Sequence, residues 1–543
     1  MKSIKKFLAV ILSMTLMLTL GTAAFGAQKT LPSGKDTGSI NVTNLKPGDT
    51  VTAYQFVKAD YNEYGFTGYS AINNYVKDPV APTAQEVIDM ASNAVTMTVA
   101  AEKKVATGDT EVTINGLPVG YYLVMVTSGS ETVYSPMIAG IYYSKSATDN
   151  TLTNGAISAD SDFEIKAQKC WAKSSTPKLE KTIVTPSGKN SKGDDIAIGG
   201  KITFKLSATV PSYSKEYKKV TYKIYDIMSE GLDYVDGSMK CFIEKYENNR
   251  ENIKVTPKVN GGIIEITFDS KFILEHPGQK IQVEYQAKLN EKAGVNFDAN
   301  INKAYLEYSN NPASGSTAKT GEDKVYVYTF GIDSNLFGKS TEKWNEKTKE
   351  LIKVEEGEYQ WVETEKESGI FTTTTALEGA TFTLINNITK KSYTATSDKY
   401  GYLKFTGLDA GEYTLQETDA PDGFTLNDAK HTVVITAEYN QDGTLKSYTI
   451  KIDDKATSTY TATYDKGVIK TITSTKDSQG NISESAILKN SKMSFLPSTG
   501  GVGTTIFAIV GVVFVAAALG LHMILRGKSK QSSYFCTAYI KIP

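Results

Sequence analysis

The stretch KIQVEYQAKL, Lys280 to Leu289, alternates apolar and polar side chains. Period two is the spacing of a strand with one face in a core and the other toward water. KITFKLSATV (Lys201–Val210) and KSYTATSDKYGYLKFTGL (Lys391–Leu408) repeat the pattern, with Gly, Asn, Asp and Pro turns at short intervals. Short strands separated by turns predict β-sandwiches, not βαβ units. Only TAQEVIDMASNAV (Thr83–Val95) has helical spacing, with Val87, Met90, Ala91 and Ala94 on one face. The expected fold is all-β: tandem immunoglobulin-like β-sandwiches in an elongated rod.

Both ends of the chain carry targeting signals. Lys2, Lys5 and Lys6 precede an apolar run from Phe7 to Leu20 and the small residues Ala24 and Gly26, as in a secretory signal peptide. Near the other end, Val502 to Leu525 has no acid or base apart from His522 and is followed by Arg526, Lys528 and Lys530. That run is long enough to cross a membrane as a helix, and the cations hold its far end in the cytoplasm. Removing both ends leaves roughly 470 residues, room for about three domains. Formal net charge is −1, which gives no pull toward nucleic acid. Three cysteines, Cys170, Cys241 and Cys536, are too few for a disulfide framework in an exported chain. Cys170 and Cys241 are able to pair or to stay as isolated thiols.

Three blocks lie between the signals. The first, about Lys35 to Gln168, holds GLPVGYYLVM (Gly116–Met125), read as a compact hairpin. The second starts at STPKLEKTIV (Ser175–Val184) and ends in a Ser/Gly/Asn-rich stretch, Ser309 to Asp323, read as a linker or a long surface loop. The third, about Val325 to Asn490, contains a charge-dense insert, Ser340 to Gly369, read as a solvated hairpin or loop. The resulting division is a signal peptide at 1–27, blocks at 28–170, 171–323 and 324–494, an anchor at 495–530 and an unexplained tail at 531–543. The three histidines, His276, His431 and His522, form no ligand or catalytic spacing. No hydrolase or nucleotide motif is present. No cofactor or metal is expected.

LPSTG, Leu496-Pro497-Ser498-Thr499-Gly500, lies directly before the apolar span and its basic stop. This arrangement resembles the cell-wall sorting signal of Gram-positive surface proteins. The resemblance implies cleavage by sortase between Thr499 and Gly500, with transfer of Thr499 to an amine. EYTLQETDAPDGF (Glu412–Phe424) resembles the E-box of pilin and collagen-adhesin B-type domains. That resemblance makes Glu417 the catalyst of an isopeptide bond between a first-strand lysine and a last-strand asparagine. Lys339, with Lys343 in reserve, and Asn490 fit those places. In an apolar core a carboxylic acid is driven toward its neutral form and a lysine toward its nucleophilic amine. The acid then polarises the amide while ammonia leaves.

The second block repeats this logic. Leu179, Lys181 and Ile183 share one strand face, as do Tyr222, Ile224 and Asp226, and Asn302, Ala304, Leu306 and Tyr308. A lysine between aliphatic neighbours implies a buried partner. These stretches resemble the fimbrial isopeptide-forming domain of backbone pilins, which implies a Lys181–Asn302 bond catalysed by Asp226. A turn-initiating role before SEGL is the alternative for Asp226. The first block's GLPVGYYLVM resembles the amino-terminal pilin domain. At the junction of the first two blocks, where backbone pilins hold the lysine that links subunits, stand Lys173 and its rival Lys169.

Nearly the whole chain resembles a sortase-assembled backbone pilin, expected on the surface of a Gram-positive cell. The partners implied are sortase, identical subunits and peptidoglycan. The alternative is a singly anchored adhesin with a host or microbial ligand.

Overall fold

The computed structural model of the protein describes residues 31–490, with gaps at 129–130, 146–155, 158–161, 247–248, 333–336, 342–348, 354–358, 365–370, 376, 400, 454–455 and 477–485; beyond 490 it describes only Leu519. The signal peptide, LPSTG, the apolar span, Cys536, Lys343 and the tail therefore lie outside the described residues. Among those described, no helix is long and apolar enough to cross a membrane.

Strands dominate, and three main hydrophobic cores follow one another along the chain, with a smaller cluster around Phe56, Val87 and Leu123 beside the first. Around the first core, a small sheet orders Lys169–Trp171, Thr37–Thr43 and Glu111–Pro118. A larger sheet runs Gly65–Ala71, Thr50–Asn62, Gly120–Thr127, Met137–Ser144 and Glu164–Ala167. GLPVGYYLVM is not a hairpin. Glu111–Pro118 pairs with Thr37–Thr43, whereas Gly120–Thr127 pairs with Thr50–Asn62 and Met137–Ser144, so the chain changes sheets between them. Gly120 makes the crossing possible: its φ is +154° and a Cβ there would lie 2.2 Å from the Val57 carbonyl oxygen.

The helix expected at Thr83–Val95 forms over Ala84–Ser92. Thr83 and Glu86 close a capping box, and Val87, Ile88, Met90 and Ala91 are buried. A second helix, Ser270–Glu275, has no counterpart in the sequence reading. Its six residues are too few for a periodic signal, and it is capped by Asp269, whose carboxylate accepts from Phe272 N at 2.9 Å.

The second core is a sandwich of two large sheets. One places Leu179–Val184, Lys201–Thr209, Lys280–Leu289 and Lys240–Tyr246 side by side. The other places Asp323–Tyr328, Asn300–Asn311, Tyr222–Met228 and Ile263–Thr267 side by side. The stretch read as linker or loop, Ser309 to Asp323, is a β-hairpin: Ser316–Lys319 folds back on Asn300–Asn311. Its Asn, Ser and Gly residues make a tight turn, and the next strand stays in the same sheet. Cys170 and Cys241 sit in different cores as free thiols, and burial pushes each up to about 12.

Around the third core, seven strands run from Ser392–Thr396 to Val468–Lys476 in one sheet. Phe330–Ile332 pairs with Phe405–Leu408, and Phe337–Thr341 runs parallel to Ala486–Asn490. Within the charge-dense insert, Lys349–Lys353 and Tyr359–Thr364 form the hairpin, which Phe371–Thr375 extends to three strands.

The second and third cores meet directly. Asp195 accepts from Ala410 N at 2.5 Å and from the Tyr439 hydroxyl at 2.6 Å. Gly193 lies so close to Gly443 that a Cβ would stand 2.2 Å from the Gly443 oxygen. Burial, and secondarily the Asp195 carboxylate, pushes Asp194 from 3.8 up to about 6. Between those values the folded chain binds the proton more often than the unfolded chain, so this carboxyl adds stability as pH falls through the window. The melting temperature of the wild type should therefore gain on that of Asp194→Asn as pH drops from about 7 to about 4. A constant gap would remove Asp194 from the pH response.

Candidate functional site

The Leu179–Val184 strand buries Leu179, Lys181 and Ile183. Lys181 is fully buried, and its ammonium faces the rings of Phe204 and Tyr285 at 5.0 and 5.4 Å from their centroids. Tyr222–Met228 alternates without a break, so Asp226 points inward from mid-strand rather than starting a turn. Asn302, also fully buried, comes from the neighbouring Asn300–Asn311 strand, two residues before Ala304, which pairs with Asp226. Lys181 thus belongs to one sheet, and Asp226 and Asn302 belong to the other.

Lys181 Nζ hydrogen-bonds and ion-pairs with Asp226 Oδ2 across the sandwich. Burial lowers the basicity of this lysine, while the Asp226 carboxylate opposes the shift. An isolated buried ion costs several kcal/mol, so neither partner would be kept here alone. Lys192 holds the strand from outside by donating to the Lys181 carbonyl and to Asp323 Oδ2, both at 2.6 Å. Asp323 Oδ2 also accepts from Lys181 N at 2.7 Å.

A fourth group completes the cluster, and sequence reasoning missed it. The hydroxyl of buried Tyr285 accepts from Asn302 Nδ2 at 2.7 Å and donates to Asp226 Oδ1 at 2.7 Å. Lys181 Nζ also donates to it, at 3.2 Å. Its signal lay in the period-two pattern of Lys280–Leu289, which places Tyr285 on the same face as Ile281 and Val283. Chemically, the cluster sets an amine of lowered basicity, a carboxyl and a carboxamide in one dry space. This is the inventory for amide exchange with loss of ammonia.

In the third unit Glu417 is buried on Gly411–Asp419, opposite Phe382, and its Oε2 accepts from Asn427 N at 2.7 Å. Register sets position 339 beside Leu488 and position 490 beside Thr341, so the two candidates stand two residues apart on adjacent parallel strands. Leu488 is buried in the third core. Glu417→Ala should leave any crosslinked peptide of this unit unformed and that of the second unit intact. Peptide mass mapping reads both, and a surviving Lys339–Asn490 peptide would exclude Glu417 as catalyst.

Lys169 and Lys173 are exposed on either side of Trp171, itself 69% exposed, while Cys170 and Ala172 turn inward. Lys169–Trp171 is an edge strand, parallel to Thr37–Thr43. Among the described residues, no cluster of acids, histidines and cysteines is suited to a metal ion.

Three family models match successive parts of the chain: a T6 antigen Ig-like domain over residues 35–174, the SpaA prealbumin-like fold domain over 370–451, and the LPXTG cell wall anchor motif over 489–531. The chain is 26% identical to the trypsin-resistant surface T6 protein of Streptococcus pyogenes serotype M6, with 92% of this chain and 96% of that protein aligned. By make-up this is a Gram-positive backbone pilin. The pilin's fold is similar to that of the T6 backbone pilin of the same serotype, a modular three-domain structure, with a TM-score of 0.55 and 20% identity over 85% of this chain and all of that one. The full-length major pilin SpaD from Corynebacterium diphtheriae aligns over 86% of the pilin and all of its own chain, with 16% identity and a TM-score of 0.46. The anchor match covers Leu496 to Gly500 and makes the pilin a wall-anchored surface protein.

Proposed function

We propose that this structural protein is the repeating shaft subunit of a covalent pilus, toughened by internal isopeptide bonds. Sortase would cleave after Thr499 and pass the acyl group to Lys173 of the next subunit. The last subunit would be passed to peptidoglycan. Lys181–Asn302 and Lys339–Asn490 would be the internal bonds, with Asp226 and Glu417 as their acids. The three units would correspond to blocks at 28–170, 171–323 and 324–494, the second extended by its closing strand to Tyr328.

The observation that carries this reading is the buried Lys181–Asp226–Asn302 set, spanning two sheets of a chain with a wall-anchor motif. A structural protein with only two buried thiols among its described residues gains covalent reinforcement in this way without an oxidant. In the bond, Lys181 Nζ replaces the amide nitrogen of Asn302 and ammonia departs. Immunoblots of wall extracts test the polymer, for which a ladder of high-mass species is the expected result. A single band at monomer mass would instead identify a singly anchored adhesin. Intact mass tests the crosslinks: the protein should fall short of its sequence mass by one ammonia for each bond.

A further inference from the structure

The four-group cluster of the second unit poses a problem of proton delivery. For the Asn302 nitrogen to leave as ammonia it must gain a proton, and Asp226 is the acid of the cluster. Asp226 Oδ2 is already engaged by Lys181 Nζ. The other oxygen, Oδ1, is reached from Asn302 Nδ2 through one atom, the Tyr285 hydroxyl oxygen, at 2.7 Å on either side.

We propose that Tyr285 is a catalytic residue of Lys181–Asn302 bond formation, relaying a proton from Asp226 to the departing Asn302 nitrogen. This rests on the crosslinking reading above. The steps balance as follows. A proton passes from the Lys181 ammonium to Asp226, leaving a neutral amine and a carboxylic acid. The amine lone pair attacks Asn302 Cγ, and the carbonyl electron pair moves onto Oδ1. With the acid proton moved to Oδ1 and both Tyr285 hydrogen bonds reversed from the resting arrangement, Asp226 gives its proton to the Tyr285 oxygen as Tyr285 gives its own to Nδ2. The Cγ–Nδ2 bond breaks, its electron pair leaves with ammonia, and the carbonyl re-forms. The new amide nitrogen returns its extra proton to Asp226, which ends protonated.

Two further observations favour a chemical role for this hydroxyl. Burial, reinforced by Asp226, holds the Tyr285 phenol well above its ordinary range, so it stays a donor and is never a standing phenolate in the core. Secondly, the same core contains a buried tyrosine hydroxyl with no hydrogen-bond partner among the described residues, that of Tyr222, on the strand that carries Asp226. This sandwich therefore accepts a tyrosine for its ring alone. Tyr222 provides a built-in control.

The test compares the full chain with Tyr285→Phe and Tyr222→Phe, following the Lys181–Asn302 crosslinked peptide by mass spectrometry after a pulse of synthesis. Tyr285→Phe should slow its appearance by about 10²-fold, the usual contribution of a positioned proton donor. Tyr222→Phe should match the wild type. A third protein, with 3,5-difluorotyrosine at 285, keeps ring and hydroxyl but makes the phenol more acidic; its rate should differ from that of wild type. An equal rate in Tyr285→Phe and wild type would overturn the relay. So would a slow Tyr285→Phe accompanied by an unchanged fluorinated protein, which would reduce Tyr285 to a packing role. Absence of the crosslinked peptide from the wild type would sink the bond itself, a different failure from either of these.

Discussion

Asp226→Ala should leave the second unit without the proposed covalent tie and with a fully buried lysine stripped of its ion-pair partner. Loss of a long crosslink, judged by its disulfide analogue, costs about 2–4 kcal/mol. An orphaned buried charge costs about 3–5 kcal/mol more. Together these approach the whole stability of an ordinary domain, about 5–15 kcal/mol. The unit should therefore melt early and become open to proteases, while the third unit persists. The variant should also acquire a pH dependence. Burial already lowers the proton affinity of Lys181, so between that lowered value and the ordinary 10.5 the unfolded chain binds more protons than the folded one. Stability must then rise with pH across this window. A wild type bonded as proposed would have an amide at Lys181 and should lack the effect. Thermal melts between about pH 7 and pH 10 read the difference. A crosslinked peptide surviving in Asp226→Ala would contradict the assigned catalyst.

Lys173→Arg should collapse the polymer ladder to monomer while leaving the melting profile unchanged. Arginine keeps the charge but has no amine to take the Thr499 acyl group. Lys173 is exposed, just beyond an edge strand and between the first two cores, where an enzyme bearing another subunit has access. Joining through one lysine at a fixed place gives an open head-to-tail chain. Lys169, two residues before exposed Trp171, is the internal comparison. A ladder that vanishes only in Lys169→Arg would move the linkage there. A ladder unaffected by either change would place it elsewhere.

Much of this organisation was legible because strand periodicity is a strong signal. The alternation in YKIYDIM and NKAYLEYSN put Asp226 and Asn302 on buried faces, and both are buried. What escaped was tertiary. Tyr285 reads in sequence as one more inward aromatic, and nothing local reveals that its hydroxyl meets three other strands. The sheet change at Gly120 was invisible because turn residues mark a change of direction without specifying the sheet that receives the next strand. The hairpin after Asn311 passed for a linker because the same small polar residues build both.

Lys181 and Asn302 stand near opposite ends of the second unit's sequence, on facing sheets. Suppose the fibre is pulled. With the proposed linkages in place, tension entering at residue 173 would reach Lys181 after eight residues, cross to Asn302 through the amide and pass on toward the third unit. Residues 182–301, most of the sandwich, hang outside that route as slack that a steady pull cannot pay out. A host or a current that tugs on the shaft would therefore meet something closer to a cable than to a spring.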